Sequence, residues 1–274
     1  GVDSRLSVRD YGYLFWPGNH WTTWGTYDDV QHVQTGYYAL ALDVGSGNLD
    51  HMGLITDEFS ADQALLQENS VITDLPAALL RYSVFEGQQE RSATGFHGSD
   101  GTSTNPSELI DMGRFMQRVE IPEVTYANTS DITGSLQLAA MTRHFVLTHR
   151  AASAAGTSSL TVKLEIDGNA VERYSETDWL EGTRAVSVRD SAGEGWTFII
   201  PEVDGVVGTI ERAAHGGLSF QGSGVNLSAG EEVSLSVIVI PSNSDSETQR
   251  SVWLKPEETV RVEYAQLNRD GSGG

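Results

Sequence analysis

The side chains singled out for chemistry in this chain are histidine, arginine and tyrosine, and the sequence contains no cysteine. That excludes thiolate zinc sites, iron–sulfur clusters, cysteine nucleophiles and disulfide frameworks. Two histidines stand out. His97 sits in Gly95-Phe96-His97-Gly98-Ser99-Asp100-Gly101, a small-residue loop of the kind that closes over a cleft. His144 lies near the start of Met141–Arg150, where Phe145, Leu147 and His149 share one strand face and His144, Val146, Thr148 and Arg150 share the other. Imidazole titrates near neutrality, which makes His97 and His144 candidate proton-transfer groups. The plainer expectation for each is a hydrogen-bonded structural histidine.

Arginines supply the anion chemistry. In Gly113–Ile121, alternation puts Arg114, Arg118 and Glu120 on one face and Phe115, Val119 and Ile121 on the other. Guanidinium forks take carboxylates or sulfates in two-point contacts, so this face suits an anionic sugar or acidic polymer. The competing reading is a cross-strand Arg–Glu pair on a solvated surface, which contributes little.

Aromatic residues supply stacking surfaces. Tyr11, Tyr13, Phe15, Trp16, Trp21, Trp24 and Tyr27 fall within seventeen residues, with His20 among them, against 8% aromatics chain-wide. Flat rings with polar edges are what sugar rings stack on. Tyr11, Tyr13 and Phe15 are expected to seal a core. Trp21, Trp24 and His20, beyond the Pro17-Gly18-Asn19 turn, are the candidate sugar contacts.

Other signatures are missing. There is no His-Glu-x-x-His helix, Gly-x-Ser-x-Gly elbow, phosphate loop or dinucleotide fingerprint. A glycosidase carboxylate pair cannot be singled out among 38 acidic residues; Asp28-Asp29, Asp50 and Glu120/Glu123 are equal candidates. No cofactor is implied, although the Asp100–Asp111 loop is a candidate structural calcium site.

The elements that must position these groups have period two. Tyr38–Val44, Leu160–Ile166, Val233–Val239 and Val260–Tyr264 all alternate, separated by turns such as Glu86-Gly87, Asp167-Gly168-Asn169 and His215-Gly216-Gly217. Roughly sixteen strands are expected on this pattern. Two short helices are also expected, from the capping box Ser60/Gln63 through Glu68, and from Asn105-Pro106-Ser107-Glu108 through Asp111. Helices this short cannot cover a sheet, so the fold class is all-β, a large antiparallel sandwich whose sheets cover each other. One sandwich domain over residues 1–270 with a flexible 271–274 tail is expected; two smaller sandwiches split near 127–134 are the alternative.

Composition narrows the partners. A net charge of −21 argues against a nucleic-acid partner. No apolar run approaches the ~18 residues of a membrane span. The absence of cysteine fits a secreted or extracytoplasmic protein. The opening Gly1-Val2-Asp3 shows no leader pattern, so any export signal is expected to have been removed or never present.

The strand rhythm, the Gly113–Ile121 strand followed by Tyr126, the Ala127–Gly134 loop and the Ser135–Arg150 hairpin region resemble the galactose-mutarotase-like super-sandwich domains of polysaccharide lyases and glycoside hydrolases. The Gln-Ile-His and Tyr-Phe-Lys-x-Gly strand signatures of jelly-roll alginate lyases are absent. The resemblance implies a polysaccharide partner, preferably uronate-containing, cleaved by β-elimination or hydrolysis. On that reading Arg114 and Arg118 neutralise a uronate carboxylate, His97 or His144 takes the α-proton, Tyr126 or another tyrosine returns a proton to the leaving oxygen, and Trp21 and Trp24 hold neighbouring sugars. Two alternatives stay open: a non-catalytic carbohydrate-binding or packing domain of a larger enzyme, and a self-associating extracellular sandwich protein.

Overall fold

A computed structural model describes residues 15–17, 30–34, 38–43, 47–54, 80–98, 108–112, 116–141, 144–167, 176–180, 184–189, 195–201, 205–213 and 216–242. Within them the chain is antiparallel β, with seventeen strands and no α-helix. Four strands, β1 (Phe15–Pro17), β2 (Val30–Gln34), β3 (Tyr38–Asp43) and β4 (Asn48–Leu54), form one sheet in chain order.

The other thirteen form a second, continuous sheet. They are β5 (Leu80–Glu86), β6 (Gln89–His97), β7 (Glu108–Met112), β8 (Met116–Tyr126), β9 (Ile132–Met141), β10 (Phe145–Ser153) and β11 (Thr157–Ile166). Then follow β12 (Glu176–Leu180), β13 (Ala185–Arg189), β14 (Gly195–Ile199), β15 (Val207–Arg212), β16 (Leu218–Leu227) and β17 (Glu232–Ser242). Their order is β12-β13-β14-β17-β10-β9-β8-β6-β5-β11-β16-β15, with β7 beside β6 on the same edge of β8.

Strand β6 makes the sheet a sandwich. Its first half pairs with β5 (Glu86↔Gln89 to Ser83↔Ser92) and its second half with β8 (Ala93↔Tyr126 to His97↔Glu123), with a register shift between Ala93 and Gly95. A bulge bends a strand and raises its twist, so the sheet folds back on itself here. The larger layer, β12 to β8, then faces the smaller one, β5-β11-β16-β15.

Alternation fills the space between the layers. Leu160, Val162, Leu164 and Ile166 point inward from β11, and Val233, Leu235, Val237 and Val239 from β17, all at most 3% exposed. Phe198 of β14 meets Phe220 of β16 across the core, with ring centroids 5.4 Å apart. The four-stranded sheet joins the same core: Leu49 is fully buried, and the Tyr82 hydroxyl donates to the Gly47 carbonyl at 2.7 Å.

One sequence expectation changes here. The turn of helix expected through Asp111 is instead strand β7, paired with β8 from Glu108↔Glu120 to Met112↔Gln117. It occupies the length of the β8 edge that β6 leaves open, and ladder hydrogen bonds outweigh a single helical turn with its costly nucleation. The segment 127–131 is the connection of a β8–β9 hairpin within one layer. The expected Ser60–Glu68 helix and the Val260–Tyr264 strand lie outside the described residues.

Candidate functional site

The outer face of the larger layer gathers the charged side chains that sequence reasoning selected. Inward positions on β8 are Val119, Ile121, Val124 and Tyr126, so Arg118, Glu120, Glu123 and Thr125 face outward. Register then sets rows across strands. One runs Glu120–Gln137–Thr148–Ser236 over β8, β9, β10 and β17, where the Thr148 and Ser236 hydroxyls hydrogen-bond at 3.1 Å. The row beside it runs Arg118–Ala139–Val146–Ile238–Ile199, and its four apolar members belong to a second buried cluster with Met141, Ala185 and Ile240. Arg118 therefore stands at the border between a covered apolar half of this face and a polar half.

Two of the outward arginines, Arg118 and Arg150, differ in their partners. Arg150 is paired: its Nη2 donates to Gln137 Oε1 at 2.7 Å, while Glu120 and Glu232 carboxylates lie 3.8 and 3.6 Å from its guanidinium. Arg118 is half-buried, and its Nε has no hydrogen-bond partner. A desolvated donor without an acceptor is a cost that a bidentate carboxylate or sulfate removes.

His97 closes the other end of the face. It pairs with Glu123 in register, and its ring lies over Gly95: a Cβ added there would come within 2.5 Å of both His97 Nε2 and Thr125 Oγ1. The bulge thus uses glycine to give the imidazole its seat. His97 Nδ1 is buried without a hydrogen-bond partner.

Beneath this surface is a polar chain in the core. His149, on the apolar side of β10, is fully buried. Its Nδ1 lies 3.1 Å from the Lys163 carbonyl of the opposite layer, and its Nε2 lies 2.7 Å from the Tyr126 hydroxyl. A carbonyl only accepts, so Nδ1 carries the proton and Nε2 accepts from tyrosine. Burial drives the His149 pKa down to about 4, against a smaller upward pull from the Lys163 bond. Burial likewise pushes the Tyr126 and Tyr82 hydroxyls above the ordinary phenol range. Tyr82 presents an edge-on ring to His149 with centroids 5.3 Å apart.

The expected site residues are therefore distributed as follows. Arg118 and His97 share the outer face but stand apart along β8, roughly 15 Å by the strand rise to Glu123. His144 precedes β10 on the same alternation face and is buried, at 2% exposure. Tyr126, expected to return a proton to a leaving group, instead points into the core, because its place in the inward alternation carries the hydroxyl to His149. Arg114, His20, Trp21 and Trp24 lie outside the described residues, as does most of the Asp100–Asp111 loop. Gln137, Arg150 and the Lys163 carbonyl were missed; only the placement of Arg150 on the His144 face signalled any of them. Among the described residues no three His, Asp or Glu side chains gather as metal ligands, and no helix is long and apolar enough to cross a membrane.

No protein-family model matches the chain, and no curated protein matches it in sequence. Solved structures match it at low similarity. Heparan sulfate lyase HepC from Pedobacter heparinus is 12% identical with a TM-score of 0.43, over 78% of this chain and 35% of that one. A 4-alpha-glucanotransferase from Thermococcus litoralis is 12% identical with a TM-score of 0.45, over 77% of this chain and 37% of that one. Heparinase III is 13% identical with a TM-score of 0.39, over 61% and 24%. This chain spans about a third of the length of the first of these structures.

Proposed function

We propose that the chain is the β-sandwich of a carbohydrate-active protein that holds an acidic polysaccharide along the outer face of its larger layer. The observation that carries this reading is Arg118, a half-buried guanidinium whose Nε lacks an acceptor, at the edge of a row of amide, hydroxyl and carboxylate side chains. Arg118 takes a uronate carboxylate or a sulfate in a two-point contact. Gln137 and Ser236, both partly exposed, offer the neutral donors and acceptors that sugar hydroxyls need. His97, beside Glu123, is the group that accepts a proton if the polymer is cleaved by β-elimination.

Affinity electrophoresis against acidic and neutral polymers tests the binding step. Acidic polymers should retard the protein, and Arg118→Ala should weaken retardation about tenfold, the loss of one charged contact of about 1.4 kcal/mol. Equal retardation by neutral polymers, or none with folded protein, overturns the reading. Ultraviolet absorbance of an unsaturated product tests cleavage, and His97→Ala should abolish it. A second reading, binding without turnover, is favoured by the inward direction of Tyr126, which takes the expected proton donor away from the polymer. Retardation with no absorbance change across uronate polymers selects it.

A further inference from the structure

Two tripeptides, Asn128-Thr129-Ser130 and Asn226-Leu227-Ser228, have the Asn-x-Ser form in which a hydroxyl two residues on assists glycosylation of the amide. A third, Asn105-Pro106-Ser107, is blocked by its central proline. We propose that Asn128 and Asn226 are N-glycosylation sites on the folded protein, and that they put both glycans at one end of the sandwich.

Several observations converge on this. Asn128 lies in the β8–β9 connection and Asn226 at the end of β16, and both are exposed, as are the hydroxyl-bearing Ser130 and Ser228. Both asparagines have left-handed backbone, φ 58° and 55°, a conformation asparagine tolerates in sharp exposed turns. The turns that carry them are tied to a common neighbour: Ala154 N–H donates to the Asp131 carbonyl at 2.7 Å and Gly230 N–H to the Ser153 carbonyl at 2.8 Å. The backbone there is thus held in place while the amides stay accessible. Arg118 lies at the other end of β8, so glycans here leave its end of the outer face open. A glycan on Asn226 also shields Val225, one of two large apolar side chains that the described residues leave exposed.

The step is a transfer. The asparagine Nδ2 loses one hydrogen and gains a bond to C1 of the sugar. The C1–O bond of a polyprenyl-pyrophosphate-linked oligosaccharide breaks, its oxygen leaves with the electron pair, and the amide proton passes to a base of the transferring enzyme. An oligosaccharyltransferase in the secretory membrane supplies that donor.

The test is peptide mass mapping of the full chain recovered from its native host, beside in vitro transfer to the folded protein. Asn128 and Asn226 peptides should carry sugar-mass increments, and the Asn105 peptide none. Asn128→Gln and Asn226→Gln should each remove one increment; Ser130→Ala should remove it at Asn128, and Ser130→Thr should keep it. Bare peptide masses at both positions in the native material overturn the proposal. So does in vitro transfer that occurs only after unfolding.

Discussion

The Tyr126 hydroxyl and the His149 imidazole meet at 2.7 Å in the middle of the sandwich, and the imidazole then reaches a backbone carbonyl of the opposite layer. Tyr126 belongs to β8 and His149 to β10, with β9 between them, so this chain of hydrogen bonds ties two strands of one layer, across β9, to β11 of the other. Buried polar groups are safe only when satisfied, and each member here satisfies the next. Tyr126→Phe strands the His149 Nε2 acceptor in an apolar interior. That variant should lose about 1–3 kcal/mol of stability, measured by chemical denaturation, with little change in the native circular dichroism.

Acid should weaken the fold through His149. Its folded pKa is lowered to about 4 by burial, below the ordinary 6.5. The unfolded chain therefore binds the proton more readily between those values. The contribution is fully present above about pH 6.5 and is lost as pH falls towards 4, by roughly 3 kcal/mol in all. Tyr82 and Tyr126, titratable side chains in contact with the ring, stay neutral across this window, so neither offsets the imidazolium charge. Denaturation midpoints followed from pH 7 to 4 should fall in the wild type and in Tyr126→Phe. His149→Phe should show a distinctly flatter profile, whatever its absolute stability; an unchanged slope in that variant would rule His149 out as the origin.

Gly134 makes room for this contact. A Cβ at that position would run into the Tyr126 hydroxyl oxygen and press on the Arg150 carbonyl. Gly134→Ala should therefore destabilise by about 2 kcal/mol or more, as overpacking does. Combining it with Tyr126→Phe removes the atom in the way, so the double variant should cost less than the sum of the two. Simple additivity in a denaturation cycle would show that the clash is with backbone alone.

How much of this was legible in the sequence depends on the range of the interaction. The inward faces of β11 and β17 follow directly from Leu160–Ile166 and Val233–Val239, because alternation is local. So does the burial of His149, which shares a face with Phe145 and Leu147. Its partners were not legible: pairing Tyr126 with His149 requires the strand order β8-β9-β10, and the Lys163 carbonyl requires the fold-back at β6. The same gap explains the site. Alternation put Arg118 outward, but its distance from His97 is set by register along β8 and by the Ala93/Gly95 bulge. Asn105-Pro106 read locally as a helix start, yet the open edge of β8 drew Glu108–Met112 into the sheet.

Freeing a second guanidinium should strengthen the proposed binding face. Arg150 is held between Glu120 and Glu232 at 3.8 and 3.6 Å, and the Glu232 side chain is about half exposed. Pairs of this length and exposure contribute little to folding, so Glu232→Gln should change stability by no more than about 0.5 kcal/mol. The substitution removes one negative charge beside Arg150 while leaving its hydrogen bond to Gln137 intact. Affinity for an acidic polymer should then rise about two- to threefold, with a steeper dependence on salt, while affinity for a neutral polymer stays the same. If acidic-polymer retardation is unmoved by Glu232→Gln yet sensitive to Arg118→Ala, the polymer meets the face at Arg118 without crossing the Gln137–Ser236 row to Arg150.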